Sequence, residues 1–408
     1  MSQATDGTEA HEVDGADAMY GMQAMFDLAA PQQRYLELMS QGGYVEAMEG
    51  LGLSFNRANT EYVLRHHEEF SSRVEMSLGN VRPLIPLNVD PPQHSKYRKL
   101  LDPLFAPKRM DEQEEDITRR VNGFIDAFID RGECNFTEEF AELFPSSVFL
   151  GLMGLPEEEM RFFLDMRDGI LHPEKKDPDA LLDADARARV MNATGERVYE
   201  YFGNLVDLRA QEPADDIITR FLGAEIDGDK LTRDDILDIC FLFLIAGLDT
   251  VSDTLTCSYA FLAQHPEHRQ MIVDDPSIIP TAVEELLRWE SPVAGGVPRM
   301  ARCPVDLPSG VHVDQGAMVV PNYGAANMDP ETFEDPMAVR FDRGNNPHIA
   351  FGGGVHRCLG SHLARRELRV TLREWHRRIP EYRLKPGHEE LEYPPGLRHV
   401  KDLTLTWR

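Results

Sequence analysis

Phe351-Gly352-Gly353-Gly354-Val355-His356-Arg357-Cys358-Leu359-Gly360 is the stretch of sequence on which the fold assignment rests. Three consecutive glycines ahead of a cysteine indicate a loop that turns tightly or approaches another group closely. Cys358 directly precedes a segment with helical periodicity, and a thiolate at a helix N-terminus is stabilised by the helix dipole and by free N–H groups. Positive charge on His356 and Arg357 adds to this effect. The pattern suits metal ligation or nucleophilic catalysis, with a buried structural cysteine as the plainer alternative.

Two further motifs precede this loop. Glu285-Leu-Leu-Arg288 lies on a helix predicted over 278–289, where residues three apart can form an ion pair. Ala246-Gly247-Leu248-Asp249-Thr250 lies in a long helix predicted over about 232–264. A charged Asp249 in a mostly apolar helix is costly unless it has a role or a partner. The alternative is that it faces solvent.

The three motifs together resemble the cytochrome P-450 family, in its bacterial, soluble, ferredoxin-dependent form. Phe351, Gly354, Cys358 and Gly360 fill every fixed position of the family's Phe-x-x-Gly-x-x-x-Cys-x-Gly loop. The other two motifs come in the family's order and at family-like separations. The resemblance implies a mainly α fold with a small β portion, with haem between the long central helix and the Cys-ligand loop.

Composition and periodicity agree with that fold class. Further helices are predicted over about 111–131, 137–153, 157–170, 183–212 and 359–379, and a β-hairpin within 305–320. Residues 1–20 read as a disordered acidic tail, and 21–408 as one catalytic domain.

Net charge, hydropathy and cysteine spacing limit the possible ligands and the cellular compartment of the protein. A net charge of −28 argues against nucleic-acid binding. The chain shows no signal peptide, and its most apolar stretch, 236–245, is too short and too charged for membrane insertion. Five scattered cysteines predict no disulfide framework and favour a reducing cytoplasm.

The resemblance implies haem b as the cofactor, with Cys358 as the axial iron ligand. A thiolate in that position favours O–O cleavage. Cations are expected at the haem propionates, small residues where the central helix crosses the haem, and glycines and a phenylalanine beside the thiolate. The implied haem-contacting residues are His94, Arg98, Ala246, Gly247, Arg299, Phe351, Gly352, His356, Cys358 and Gly360.

The resemblance also assigns roles in proton transfer and in the support of the loop. Asp249 and Thr250 form the acid–alcohol pair that delivers protons during oxygen activation. Glu285 and Arg288 are expected to be buried behind the haem loop and joined by Arg340, as structural residues.

The resemblance says less about the substrate and the electron donor than about the cofactor. The implied pocket is apolar, and it is lined by Leu84, Ile85, Leu87, Leu242, Ile245, Leu248, Val293, Gly295 and Val297. A terpenoid, a fatty acyl chain or a steroid would fit it. Arg73 or Arg82 could anchor a carboxylate, unless each faces solvent.

No flavin or Fe–S signature is visible in the chain, so electrons for O₂ are expected from a ferredoxin and its NAD(P)H-dependent reductase. A local basic patch would steer such an acidic partner, and its candidate members are Lys96, Arg98, Lys99, Arg357, Arg365 and Arg366.

Three other functions stay open at this point. A peroxygenase would use H₂O₂ without a redox partner, but such members typically lack the acid–alcohol pair. A haem-binding sensor would show no turnover. A cysteine hydrolase would need a His–Asp constellation that the sequence does not offer.

Overall fold

Helices predominate in the computed structural model, which describes residues 28–75, 77–226, 228–394 and 396–407. In chain order the α-helices are α1 (Pro31–Ser40), α2 (Arg57–Arg65), α3 (Gln93–Leu101), α4 (Pro107–Glu112), α5 (Glu114–Asp126), α6 (Leu143–Met153), α7 (Met160–Leu171), α8 (Ala184–Gln211), α9 (Ile217–Gly223), α10 (Arg233–Gly247), α11 (Thr250–Gln264), α12 (Pro266–Asp274), α13 (Ile279–Glu290), α14 (Tyr323–Ala326) and α15 (Ser361–Arg378). The predicted acidic tail, 1–20, lies outside the described residues.

Strands form a minor part of the described chain. They are β1 (Tyr44–Met48), β2 (Leu51–Ser54), β3 (Phe70–Ser71), β4 (Glu133–Asn135), β5 (Glu225–Ile226), β6 (Asp229–Lys230), β7 (Arg299–Ala301), β8 (Val305–Asp306), β9 (His312–Val313), β10 (Met318–Pro321), β11 (Arg383–Leu384) and β12 (Thr404–Thr406). The largest sheet has the order β1-β2-β10-β7-β3, with β2 and β10 parallel, and a second has the order β11-β12-β4. The mainly α prediction with a small β portion is confirmed.

The predicted hairpin is confirmed only in part. β8 and β9 pair as antiparallel strands around the Ser-Gly turn. β10, expected to continue that hairpin, instead joins β2 and β7 in the larger sheet.

The long central helix is interrupted, where the sequence predicts one continuous helix. α10 begins with a capping box, in which Thr232 Oγ1 accepts from the Asp235 N–H (3.1 Å) and the Asp235 carboxylate accepts from the Thr232 N–H (2.8 Å). It ends at Gly247, and α11 begins at Thr250 after the two intervening residues Leu248 and Asp249. The Thr250 hydroxyl donates to the carbonyl of Ala246 (3.1 Å), the acceptor that the Thr250 backbone N–H would use in an unbroken helix.

Two large hydrophobic cores meet at this break. α11 packs with α5, α13 and α15 around the buried Trp375. α10 packs with α6, α7 and α8 around residues such as Phe202. Asp249, between the two helices, therefore lies where one core gives way to the other. Among the described residues no helix is long and apolar enough to cross a membrane.

Candidate active site

The glycine-rich loop before Cys358 is folded onto α2. The Cys358 N–H donates to the carbonyl of Phe351 (2.9 Å), which closes the loop. Gly354 has φ +64°, and a Cβ atom there would lie 2.0 Å from the carbonyl oxygen of Leu64. Only glycine fits that position. Gly352 also has a positive φ, +67°.

The Cys358 side chain is exposed, yet it lies deep among protein atoms. Burial raises the pKa of the Cys358 thiol, while the Gly360 N–H and the charges of Arg98 and Arg357 act to lower it. A deeply placed side chain that keeps exposed surface faces an internal space. Ala246 of α10 is exposed in the same way.

The predicted pocket residues gather mainly in one hydrophobic cluster, which also receives Leu359 from the Cys loop. The cluster and its packed neighbours include Leu84, Ile85, Leu87, Leu242, Ile245, Leu248 and Val297. Val293 and Gly295 are half-buried outside it, and Gly295 bridges to Asn322. The loop, α10 and the segment before α3 thus meet at one place.

Gly247 has a packing role. A Cβ atom on it would lie 2.4 Å from the Phe149 ring of α6. The small residue therefore lets α6 and α10 approach, and of the pair Ala246–Gly247 it is Ala246 that remains exposed.

A buried group of imidazole and guanidinium side chains lies close to the loop. The rings of His94 and His356 are 4.1 Å apart, and His356 Nε2 lies 2.8 Å from Ser72 Oγ. Neither ring nitrogen of buried His94 has a hydrogen-bond partner. Arg299 is buried too, and its Nη1 donates to the backbone carbonyls of Val297 (2.9 Å) and Pro298 (3.0 Å).

This cluster fits an anionic ligand. Burial and the charge of Arg98 lower the pKa of His94 to about 4, and burial and the charge of Arg299 lower that of His356 to about 2, so both rings are uncharged near pH 7 and the positive charge of the cluster comes from its arginines. The positive charge predicted from the sequence for His356 is therefore wrong. Buried donors normally have partners, so orphaned nitrogens beside a buried guanidinium mark a place for acceptors. Two haem propionates are acceptors of this kind. Arg98 also donates to the carbonyl of Arg357 (2.8 Å), which ties α3 to the loop.

Asp249 is buried and fully engaged. Its Oδ2 lies 2.8 Å from His172 Nε2, and its Oδ1 accepts from Arg167 Nη1 at 3.2 Å. Burial acts to raise the pKa of Asp249, but His172 and Arg167 prevail and hold it far below its usual range. The alternative that Asp249 faces solvent is wrong.

The ion group behind the loop contains a different arginine from the predicted one. Glu285 and Arg288 are completely buried and joined by two hydrogen bonds of 2.8 and 2.9 Å. Arg343 Nε adds contacts to both Glu285 oxygens at 3.0 and 3.2 Å. Arg340 supplies only its backbone N–H (2.9 Å), and its side chain points to exposed Glu334 and Asp342. The prediction for Arg340 is wrong in this respect.

A second ion group clamps Phe351. Arg365 lies 4.4 Å from the centre of the Phe351 ring and forms two hydrogen bonds of 2.8 Å to Glu284. His348 Nε2 also contacts Glu284, at 2.9 Å. Arg365 therefore supports the loop and is not a free member of the predicted basic patch. Arg366 is likewise paired, with Asp111 and Glu114.

Sequence reasoning missed Arg167, His172, Glu284 and Arg343. Arg167 carries one usable signal. It lies between Phe163 and Ile170 on the buried face of α7, where a charge needs a partner.

Comparison with known proteins agrees with this geometry. A family model described as "Cytochrome P450" matches residues 58–275 and 277–391. This chain is a cytochrome P450. The P450 is 34% identical over 349 residues to "Probable cytochrome P450 127A1" of Sinorhizobium fredii, covering 85% of this chain and 80% of that protein. It is 31% identical over 332 residues to "Steroid C26-monooxygenase" of Mycolicibacterium smegmatis, covering 80% and 81%.

Solved P450 structures share the fold. The crystal structure of CYP109E1 from Bacillus megaterium in complex with testosterone superposes with a TM-score of 0.83 at 28% identity, covering 93% of this chain and 98% of that one. Membership makes this P450 a haem-dependent monooxygenase. None of its five cysteines, all of which lie among the described residues, takes part in a disulfide.

Proposed function

We propose that this P450 uses haem b, O₂ and two electrons to hydroxylate a lipophilic small molecule, a terpenoid, fatty acyl chain or steroid. It would receive the electrons in the cytoplasm from a ferredoxin and its NAD(P)H-dependent reductase, and 21–408 would form its one catalytic domain. The observation that carries the proposal is that the exposed Cys358 follows His356 by two residues, and that the His356 ring lies 4.1 Å from the ring of the buried, unpartnered His94.

Cys358 would ligate the haem iron, and His94, Arg98, Arg299 and His356 would meet the propionates. Bound there, the thiolate-ligated iron supplies the activation of O₂. The chain's own part is to donate the Gly360 N–H to the sulfur, which favours the ionised form against the effect of burial, and to exclude water from it with the clamped Phe351.

Asp249 and Thr250 would handle protons. Both carboxylate oxygens of Asp249 are held, so it delivers a proton toward Thr250 only after it parts from Arg167 or His172. His172 Nδ1 lies 3.8 Å from Glu174, whose side chain is 31% exposed. An imidazole that takes a proton on one nitrogen and releases it from the other would connect Glu174 to Asp249.

The substrate is expected to be largely uncharged. Arg82 is already neutralised by a carboxylate of the chain, because its Nε donates to Asp238 (2.9 Å) and the guanidinium lies over the Tyr199 ring (5.3 Å), although its buried Nη2 has no partner. Arg73 is 67% exposed and faces Asp90 (3.7 Å). Since one relative is named for a steroid and one structural neighbour holds testosterone, steroids are the first class to test.

The electron donor would dock on a smaller basic surface than the sequence predicts. Lys99 and Arg357 are exposed, and Arg357 adjoins Cys358 directly. Charge reversal of Arg357 to Glu should lower the rate of reduction by an acidic ferredoxin and leave reduction by dithionite unchanged.

The first test is the spectrum of the protein reduced with dithionite under carbon monoxide. A band at about 450 nm supports the Cys358 thiolate, and one at about 420 nm indicates a lost or protonated thiolate. Protein that binds no haem overturns the proposal. Turnover with H₂O₂ alone, compared with the ferredoxin system, then separates monooxygenase from peroxygenase. Haem-loaded protein that is inactive in both systems with steroid, terpenoid and fatty acyl substrates would favour a sensor.

The proton-handling role is tested by Asp249→Asn. Product formation should fall about a hundredfold, the usual worth of a positioned acid, while the carbon monoxide spectrum is kept. Asp238→Asn is the matched control, because Asp238 is also a buried aspartate on the same helical stretch but pairs with Arg82 and Tyr199. Equal losses in both variants would refute a specific role.

A further inference from the structure

Two histidines and a glutamate meet where α11 ends and α12 begins. His265 is the residue between the two helices, and Glu267 and His268 lie in the first turn of α12. One oxygen, Glu267 Oε1, lies 3.2 Å from His265 Nδ1 and 3.3 Å from His268 Nδ1. The three side chains offer one ligand atom each, and these atoms lie within 4.8 Å of one another.

The surroundings of His268 fix its hydrogen-bonding pattern. Its Nε2 lies 3.0 Å from the carbonyl oxygen of Val339, which can only accept, so Nε2 carries the hydrogen. A neutral imidazole has one N–H, and its Nδ1 then presents a lone pair to the Glu267 carboxylate. Two acceptors facing each other require a cation between them, either a second proton or a metal ion.

The rings are also held in place. His265 stacks on Phe261 at 4.3 Å, and His268 packs edge-on against Phe261 (5.2 Å) and Phe341 (5.3 Å). An imidazole whose second nitrogen donates to a backbone carbonyl is the usual arrangement of a metal-ligating histidine. The two imidazole rings are therefore positioned by packing before any ion binds.

The spacing suits a transition metal. Metal–nitrogen and metal–oxygen bonds of about 2.0–2.1 Å place adjacent ligands about 3.0–3.4 Å apart, which the two contacts of 3.2 and 3.3 Å match. Side-chain exposures of 44% for His265, 63% for Glu267 and 20% for His268 leave the remaining positions to water. Two imidazoles and a carboxylate suit a borderline divalent ion more than calcium or magnesium.

We propose that His265, Glu267 and His268 form a surface site for a divalent first-row transition ion, with zinc as its occupant. The ion would fasten the α11–α12 junction to Val339, in the segment that also contributes to the Glu285 ion group. This site is separate from the haem loop, and it holds whether or not the proposed substrate and electron donor are right.

The experiment is calorimetric titration of untagged, haem-loaded protein with zinc chloride. We expect one ion per chain in the strongest class of sites, with a rise in the unfolding temperature. Replacing His265, Glu267 or His268 by Gln should weaken this binding by about tenfold or more. Zinc-edge X-ray absorption should show two imidazole nitrogens in the first coordination shell.

His312→Gln is the matched control. His312 is an exposed histidine whose Nδ1 lies 2.7 Å from Asp306 and whose Nε2 lies 3.6 Å from Asp314, but among the described residues these three do not bring one ligand atom each within 4.8 Å of one another. The proposal is overturned if His268→Gln leaves binding intact, if His312→Gln weakens it equally, or if no zinc binds. Loss of binding in Cys303→Ser would place the ion on that exposed thiol and would overturn it as well.

Discussion

Replacement of Arg343 by Met removes one of the two guanidinium groups that hold the buried Glu285. Arg343 is 7% exposed, and it also donates to the carbonyls of Glu334 (2.8 Å) and Ala338 (3.0 Å). Breaking a buried charged group by removing one partner costs about 3–5 kcal/mol. Glu285 keeps Arg288, so we expect the lower end, about 3 kcal/mol, or about 3–4 °C in unfolding temperature for a chain of this length.

Arg340→Met is the internal comparison. The Arg340 side chain is 41% exposed and faces Glu334 at 3.8 Å and Asp342 at 3.6 Å, which are themselves 90% and 79% exposed. Its backbone N–H bond to Glu285 survives the substitution. Exposed pairs of this kind are worth less than about 1 kcal/mol.

The assay is urea unfolding of haem-loaded protein, followed by far-ultraviolet circular dichroism. Arg343→Met should lower the free energy of unfolding by about 3 kcal/mol and Arg340→Met by less than about 0.5 kcal/mol. A larger loss in Arg340→Met would refute the assignment of Arg343. It would restore the residue that the sequence pattern favoured.

Two further changes test the loop. Burial acts to raise the pKa of Glu284, but hydrogen bonds from its histidine and arginine partners prevail and lower it from 4.5 to about 2. The stabilisation from the ionised Glu284 is complete above pH 4.5 and disappears as the pH falls toward 2. Between these pH values the free energy of unfolding of Glu284→Gln should therefore fall by about 3 kcal/mol less than that of the unchanged protein. Parallel curves for the two proteins would contradict this. The variant Gly354→Ala should bind less haem and lose the carbon monoxide band of Cys358, because the new Cβ would lie 2.0 Å from the Leu64 carbonyl oxygen. In Gly353→Ala the new Cβ would meet no atom closer than 3.5 Å, so this variant should keep both the haem and the band. Equal haem content in the two variants would contradict this.

Short motifs and local hydrophobic periodicity were enough to predict the Cys358 loop and the mainly α fold class. The spacing of Phe351, Gly354, Cys358 and Gly360 lies within ten residues, and the helices follow from their own periodicity. Contacts between residues far apart in the chain have no recognisable spacing in the sequence, so they could not be predicted from it. His172 and Arg167 reach Asp249 across 77 and 82 residues, and no spacing rule relates them.

Two of the wrong predictions, Arg340 and the continuous central helix, have the same origin. Arg340 and Arg343 are three residues apart in an irregular segment, and the path of the backbone decides which side chain turns toward Glu285. The break at Leu248 and Asp249 lies in a stretch with helical composition. Two things determine where α10 ends. Asp249 bonds to Arg167 of α7 and to His172, which directly follows α7, and the chain passes here from one hydrophobic core to the other.

The Thr250 hydroxyl acts as a donor in the hydrogen bond described above, and this fixes what it can offer to other molecules. A threonine hydroxyl has one hydrogen to donate, and here the carbonyl of Ala246 takes it. Toward any molecule beside it, Thr250 can then offer only lone pairs. Whatever binds next to this residue must bring its own O–H or N–H, so the threonine selects the orientation of its neighbour and the proton itself has to start elsewhere.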